Sequence, residues 1–497
     1  MGQRKGSGVG YRVSMLKIPL PPEDVLPQDG RFSAGPARIR RKQVEALCNA
    51  IELGTSHRAD PVKERVRSIQ EGLEALFSLP EGYEIVLGQG GATQFWPIIA
   101  TSLASESVKA AVFGAFGNKA AKDVAAAPWL ETEIVEAPAG QVAIIQDSSP
   151  EADVYMYAAN ETATGVVSPL YRGAPGSTES ITVVDATSIA GAQTVDWSEV
   201  DAYYFSPQKV FGAEGGLWVS VLSPAAVARA ESLANATDRY VPAMVNLTAA
   251  IKQSRAHQTV NTPSISTLIL LDEQVRWMRD SGGLEAMAEK AARGAQLIQR
   301  WAEKKPYASL FVEVPQLRSP TVTTVDFVDE IPIREVARAL REVGVYDIGG
   351  YGKMGGNQLR IPSFPNIETS DIEALLATST GLLNGSNPSF SPRPHAASRP
   401  RAEVCLVARR PRPPLRRPQL RRRPSGLRRG QVRCVPPGKG PGFRLGPVGA
   451  EPGGAGQTGV ECRGRTSPKS QLVSRLRASR WTRHQSPSEP QYVPLSN

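Results

Sequence analysis

The chain has 497 residues, enough for two or more domains with a sizeable core, and a formal net charge of +10. That charge sits at one end: from Ser386 onward there are 23 Lys+Arg against 4 Glu and no Asp, so residues 1–385 carry 35 basic and 44 acidic side chains, a net of −9. The basic character, and with it the expectation of a polyanion partner, therefore belongs entirely to the tail. The 4 scattered His and the absence of any CxxC pair exclude a zinc or disulfide framework, and runs such as Leu268–Leu271 are too short to span a bilayer.

Residues 1–23 are rich in Gly, Lys, Arg and then Pro, without periodicity, and are read as a flexible leader. No apolar stretch follows the basic residues, so no signal peptide is expected and the protein is placed in the cytoplasm. Arg31–Ala37 is a turn signal that opens a predicted helix from about Arg38 to Leu53, broken by Gly54–Arg58. An amphipathic helix follows through Val62, Val66, Ile69, Leu73 and Phe77. Tyr83–Leu87 is a strand, and Gly88–Gln94 turns from it into a helix that runs to Leu103. Strand, Gly-rich turn and helix bring free N–H groups towards a phosphate, although such turns also serve packing alone.

Strands recur at Ala110–Phe113, Ile134–Glu136, Val154–Ala158, Ile181–Val184, Ala202–Phe205 and Leu217–Leu222, with a helix at Lys119–Ala127. This alternation predicts an α/β fold with a largely parallel sheet. Further helices are predicted at Ala225–Ala234, Ser264–Asp280 and Leu284–Glu303, the last two separated by Ser281-Gly282-Gly283. A strand at Thr321–Phe327, a helix at Arg334–Val343, a strand at Gln358–Ile361 and a helix at Thr369–Leu383 complete a smaller α+β part. The expected division is 24–282 for the large domain with its N-terminal arm and 283–384 for the small one. Residues 385–497, with Arg runs and 18 Pro after Ser386, form a tail that cannot bury enough apolar surface to order itself.

Asp185 closes one strand and Lys209 follows another within Ser206-Pro207-Gln208-Lys209. A pyridoxal-phosphate enzyme needs this pair: a lysine amine to carry the cofactor aldehyde and an acid to keep the pyridine nitrogen protonated. Each residue alone reads equally as an edge-of-sheet acid or a solvated loop lysine. The Gly90–Thr93 turn, Phe116, Thr162, Asp185 and Lys209 all follow predicted strands, however. Ligands collect at the carboxyl ends of parallel strands.

Residues 28–384 resemble the phosphoserine aminotransferases, fold-type I pyridoxal-phosphate enzymes of the class-V aminotransferases. The resemblance rests on Arg31–Ala37, Thr55-Ser56-His57-Arg58, Gly90-Gly91-Ala92-Thr93, Asn160-Glu161-Thr162, Val184–Ser188, Ser206–Lys209, Asn261-Thr262-Pro263 and Asn357-Gln358-Leu359-Arg360. It implies Lys209 as the Schiff-base lysine and Asp185 as the partner of the pyridine nitrogen. Phe116 would stack on the cofactor and Thr162 would meet its 3-oxygen. Gly91, Ala92 and Gln208 would hold its phosphate, with Asn261 and Thr262 reaching in from the other subunit of a homodimer. Arg360 would grip the substrate α-carboxylate, and His57 and Arg58 would line the distal end. The implied reaction moves the amino group of L-glutamate to 3-phosphooxypyruvate, in serine and also pyridoxine biosynthesis.

Two departures touch the substrate phosphate. Ala92 stands where some relatives carry Arg, and Lys353-Met354 stands where some carry His-Arg, with Lys353 either replacing that charge or remaining a solvated loop residue. An alanine– or serine–glyoxylate aminotransferase of the same fold, and nucleic-acid binding through the basic tail, are the other readings carried forward. No metal site and no membrane partner are expected.

Overall fold

The structure, a computed structural model, describes residues 21–386. Residues 1–20 and the tail from 387, with the nucleic-acid reading attached to it, lie outside the described residues. Helices α1–α5 span Arg41–Cys48, Asp60–Phe77, Phe95–Ile98, Ala115–Ala125 and Pro224–Leu233; α6–α10 span Leu247–Arg255, Ile265–Asp280, Gly283–Glu303, Ile333–Glu342 and Thr369–Ser386. Strands β1–β6 are Glu84–Gln89, Ser107–Val112, Glu131–Glu136, Val154–Ala158, Asn160–Glu161 and Val166–Val167. Strands β7–β12 are Ile181–Asp185, Ala202–Phe205, Leu217–Leu222, Ala308–Leu310, Val322–Phe327 and Gln358–Pro362.

The main sheet has seven strands in the order β1-β9-β8-β7-β4-β2-β3. The run from β8 through β7, β4 and β2 to β3 is parallel, and β9 pairs antiparallel with both β8 and β1. Both faces are covered. Along β8, Tyr203 and Phe205 point into one apolar layer with α2 and α7, while Ala202 and Tyr204 point into the other with α3 to α6. Alternate residues of one strand thus feed two cores, as a sheet buried on both sides requires. A second, antiparallel sheet of three strands, β10-β11-β12, packs with α8 to α10. The expected α/β architecture with a mainly parallel sheet is the observed one.

Several boundaries differ from the sequence reading, and each has a physical cause. The helix expected from Arg38 to Leu53 is only Arg41–Cys48. Residues before it are held extended by tertiary bonds: Ala37 N–H donates to the Gln208 carbonyl at 2.7 Å, and Asn366 Nδ2 donates to the Arg38 carbonyl. The helix expected through Leu103 is α3, one turn long, followed by a π-turn at Ile99–Leu103. There the Thr101 hydroxyl donates to the carbonyls of Pro97, at 2.9 Å, and Val245, at 3.1 Å. Helix α4 begins at Ala115, four residues before the expected Lys119. Helix α6 and strand β10 have no counterpart in the sequence reading.

Among the described residues no helix is long and apolar enough to cross a membrane, and no group of three or more His, Cys, Asp or Glu is placed to hold a metal ion.

Candidate functional site

Because β7 and β8 run parallel and adjacent, Asp185 at the end of one and the Ser206–Lys209 turn after the other lie at the same edge of the sheet. The Lys209 Nζ donates to the Ala34 carbonyl at 2.7 Å. This carbonyl belongs to the N-terminal arm, which passes so close that a Cβ on Gly35 would stand 2.2 Å from Nζ. Gly35 also has a φ of +136°, so both space and backbone geometry require glycine there. Burial and then the nearby Arg360 pull the Lys209 pKa down to about 8, against the attraction of Asp185 and Glu161. Burial pushes the Asp185 carboxyl up, opposed by hydrogen bonds from the Thr187 N–H at 3.0 Å and the Thr187 hydroxyl, and by the neighbouring Tyr204 hydroxyl and Lys209.

Phe116 lies in the first turn of α4, its ring centroid 5.9 Å from Lys209 Nζ. What starts the helix there is Glu161, fully buried on the two-residue strand β5. Its Oε2 accepts the N–H groups of Phe116 at 2.9 Å and Gly117 at 3.2 Å, and Oε1 accepts that of Ala163 at 3.1 Å. A carboxylate on a helix N-terminus satisfies donors that have no intrahelical partner. Burial nevertheless raises the Glu161 pKa, opposed by these three bonds and reinforced by Asp185. The same hairpin presents Thr162, whose carbonyl lies 3.4 Å from Arg360 Nη1 on β12. The Arg360 guanidinium stands 5.2 Å from the Tyr351 ring centroid, and Phe116 and Tyr351 are 5.2 Å apart, centroid to centroid.

The Gly-rich turn approaches from β1. Gly90 and Gly91 take φ of +99° and +71°, and Ala92–Gln94 is a single 3₁₀ turn leading into α3. Gly90 N–H is used by the Gly216 carbonyl at 2.9 Å, which leaves the turn's leading N–H groups, at Ala92 and Thr93, without intrahelical acceptors. Ser206 hydrogen-bonds both Gln208 and, at 2.7 Å, the Leu217 carbonyl, which fixes Gln208 beside this turn.

The structure therefore brings together Gly91, Ala92, Phe116, Thr162, Asp185, Gln208, Lys209 and Arg360. It gathers His57, Arg58, Asn261 and Thr262 in a separate, mostly exposed group. There Thr262 Oγ1 meets His57 Nδ1 at 3.1 Å, Arg58 bonds Gln258, and the Asn261 carbonyl accepts from Gln89 beside the Gly-rich turn. Among the described residues, no hydrogen bond or ion pair joins these four side chains to Lys209, Asp185 or Arg360. The Lys353 side chain lies outside what the structure describes.

The residues present fit pyridoxal phosphate. A half-buried amine of lowered pKa, a buried acid on the next strand, an aromatic ring beside the amine and a positive-φ turn with free N–H groups are the parts such a group needs. Arg360 Nε is buried without an acceptor, as is His57 Nε2, so each group retains a donor or acceptor for a ligand. The profile of class-V aminotransferases matches residues 38–351, which span Lys209, Asp185, Phe116 and the Gly-rich turn but stop short of Arg360 and begin after Ala34 and Gly35. The chain belongs to the class-V aminotransferase family. Among class-V relatives, a phosphoserine aminotransferase from Nocardioides sp. is 45% identical over 359 residues, 71% of this chain and 95% of that protein. The crystal structure of a phosphoserine aminotransferase from Cytophaga hutchinsonii has 24% identity and a TM-score of 0.64, covering 70% of this chain and 97% of that one. An alanine–glyoxylate aminotransferase from Nostoc sp. has 20% identity and a TM-score of 0.60, covering 72% and 96%. The last two likenesses speak for the shared fold, and the chain is an aminotransferase on that fold.

Glu161, Tyr351, Lys119 and the Ala34 carbonyl were not among the site residues expected from sequence. Glu161 lay inside a quoted motif, Asn160-Glu161-Thr162, and the signal that could have found it is an acid between small polar residues at a strand end. Ala34 likewise lies inside the Arg31–Ala37 turn signal, whereas Tyr351 and Lys119 have no local signal.

Proposed function

We propose that the protein is a pyridoxal-phosphate-dependent phosphoserine aminotransferase, moving the amino group of L-glutamate to 3-phosphooxypyruvate to give O-phospho-L-serine and 2-oxoglutarate. The observation that carries this reading is the convergence of Lys209, Asp185, Phe116 and Arg360 on one strand edge of a class-V aminotransferase. When bound, pyridoxal phosphate supplies the aldehyde that takes up the amino group and a ring that withdraws electrons from the substrate Cα.

The roles of the protein groups follow from their chemistry. Lys209 would anchor the cofactor through Nζ and would serve as the base that carries a proton to and from the substrate Cα; a pKa of about 8 leaves a useful fraction of the amine unprotonated. Asp185 would accept a hydrogen bond from the pyridine N–H, and that partner would favour its ionised form against the burial that raises its pKa. Phe116 would pack on the ring face, Thr162 would meet the 3-oxygen, and Gly91, Ala92 and Gln208 would hold the phosphate at the Gly-rich turn. Arg360 holds the substrate α-carboxylate through two N–H groups and so orients the Cα–H bond.

The same reading makes the enzyme a cytoplasmic homodimer in which His57, Arg58, Asn261 and Thr262 of one subunit complete the site of the other. Its support is that these four residues cluster apart from Lys209 while offering an unpartnered His57 Nε2 and an exposed Arg58. The division into residues 24–282 and 283–384 belongs to this proposal too, supported by the separate seven- and three-stranded sheets.

The test is an absorbance spectrum of the full chain loaded with pyridoxal phosphate. L-Glutamate should shift the cofactor band to that of the amino form, and 3-phosphooxypyruvate should return it. A cofactor band that ignores glutamate would move the assignment to the glyoxylate aminotransferases, whose fold the chain shares. Failure to bind the cofactor at all would remove the roles given to Lys209 and Asp185.

A further inference from the structure

Lys119 is an exposed lysine that the reading above leaves without a task. It lies three residues after Phe116 in α4, hence on the same helix face. Its Nζ is 3.2 Å from the Tyr351 hydroxyl, 5.3 Å from the Phe116 ring centroid and 5.7 Å from the Tyr351 ring centroid. The Arg360 guanidinium is 5.2 Å from that same Tyr351 centroid. Lys119 and Arg360 are thus at most about 11 Å apart, the sum of their two distances to the Tyr351 ring. Lys119 makes no ion pair with a carboxylate among the described residues. The acids of the site, Glu161 and Asp185, are turned inward onto backbone N–H groups and Thr187. Two aromatic rings, the exposed Lys119 and the part-buried Arg360 therefore lie together at this edge.

We propose that Lys119 is a specificity-determining residue: docked on the Tyr351 hydroxyl, its ammonium takes the distal anion of a substrate whose α-carboxylate lies on Arg360. The proposal rests on the preceding reading for the end of the substrate that Arg360 holds. Two cations within that limit of each other can meet a substrate that carries an anion at each end, each through a charge-assisted hydrogen bond. Lys119 also supplies a cation to a site in which Ala92 occupies the Gly-rich turn position where an arginine would add one. Tyr351 acts as a positioning residue, fixing the ammonium over the rings instead of leaving it to sweep through solvent.

The experiment uses the full-length holoenzyme in which Lys119→Met and Lys119→Arg are compared with the parent. Calorimetric titration with inorganic phosphate reads the anion-binding cations of the holoenzyme together, and the difference between parent and Lys119 variants isolates the part due to Lys119. Lys119→Met should weaken phosphate about ten-fold, as loss of one charge-assisted hydrogen bond implies, and Lys119→Arg should restore most of it. In steady-state assays the kcat/KM for O-phospho-L-serine, relative to that for L-alanine, should fall by the same factor. That fall should lie in KM more than in kcat. Tyr351→Phe should give a smaller loss in the same direction. An unchanged phosphate affinity, or an equal loss for O-phospho-L-serine and L-alanine, overturns the assignment. A parent enzyme that turns over O-phospho-L-serine with a preference untouched by Lys119→Met sinks Lys119 alone. A parent that ignores phosphorylated substrates sinks the functional reading, and the phosphate titration still decides Lys119.

Discussion

At the scale of single residues, the site is governed by how few charges are shared among how many groups. Lys209 sits between one cation, Arg360, and two acids, Asp185 and Glu161, and burial dominates all three in setting its pKa at about 8. This arrangement has signed consequences. In the chain freed of cofactor, acylation of Lys209 followed by peptide mass spectrometry should rise with pH through a midpoint near 8. Arg360→Leu removes a repelling charge and should move that midpoint up. Glu161→Gln removes an attracting one and should move it down. Shifts in the same direction, or none, would mean that the three groups do not share one electrostatic environment. Glu161→Gln has a second effect, because a neutral amide replaces a carboxylate on three backbone donors. A loss of about 1–3 kcal/mol in stability by urea unfolding is the expected size for weakening buried hydrogen bonds to a charged group.

At the scale of elements, the residue that holds Lys209 in place is fastened far from it. The Ala34 carbonyl on Lys209 belongs to an arm anchored by Arg38, whose Nη1 meets Asp371 Oδ2 at 2.7 Å in α10 and the Asp29 carbonyl at 3.0 Å. Both side chains are almost fully buried. Removing one partner strands a charge, so Asp371→Ala should cost about 3–5 kcal/mol by urea unfolding, whereas replacing both, as Arg38→Met with Asp371→Leu, should cost clearly less. A single-variant cost below about 1 kcal/mol would show that the arm is held elsewhere. This tertiary anchoring also explains what the sequence could and could not reveal. Strands β4, β8 and β9 were legible to the residue because each is a continuous apolar run between turn residues, Asp185 was singled out from the end of the Ile181–Val184 run in β7, and Lys209 from the turn after β8. The extended Arg38–Arg40 stretch was not, because its bonds go to Gln208 and Asn366, far along the chain. Glu161 starts α4 from 45 residues away, so no local pattern announces the first turn that carries Phe116. Helix α6 is the fairer miss. Asn246 caps it through a bond to Ala249 N–H at 2.9 Å, and Leu247, Ala250, Ile251 and Ser254 form its buried face, both readable signals.

At the scale of the whole molecule, the separation of two residue groups is the feature on which the proposed homodimer rests. Lys209, Asp185 and Arg360 form one group; His57, Arg58, Asn261 and Thr262 form another, joined to each other and, through Gln89, to the Gly-rich turn. If the second group serves the neighbouring subunit's site, each site draws on two chains. Two inactive variants must then repair each other. Lys209→Ala leaves the distal group intact, and Arg58→Ala leaves the lysine intact. A two-fold dimer formed from one chain of each contains one site built from the two unmutated halves and one site that lacks both. Unfolded together and refolded at equal amounts, the pair should form mixed dimers in about half of all cases, giving about a quarter of the parent's sites. Each variant refolded alone should stay inactive or, for Arg58→Ala, weakly active with O-phospho-L-serine. The readout is turnover after co-refolding, with molar mass by light scattering as the companion measurement. Recovered activity in a species of twice the chain mass requires a shared site. A dimer that shows no recovery would assign His57 and Arg58 to the surface of their own subunit, and a monomer with parent-like activity would remove the partner from the chemistry altogether.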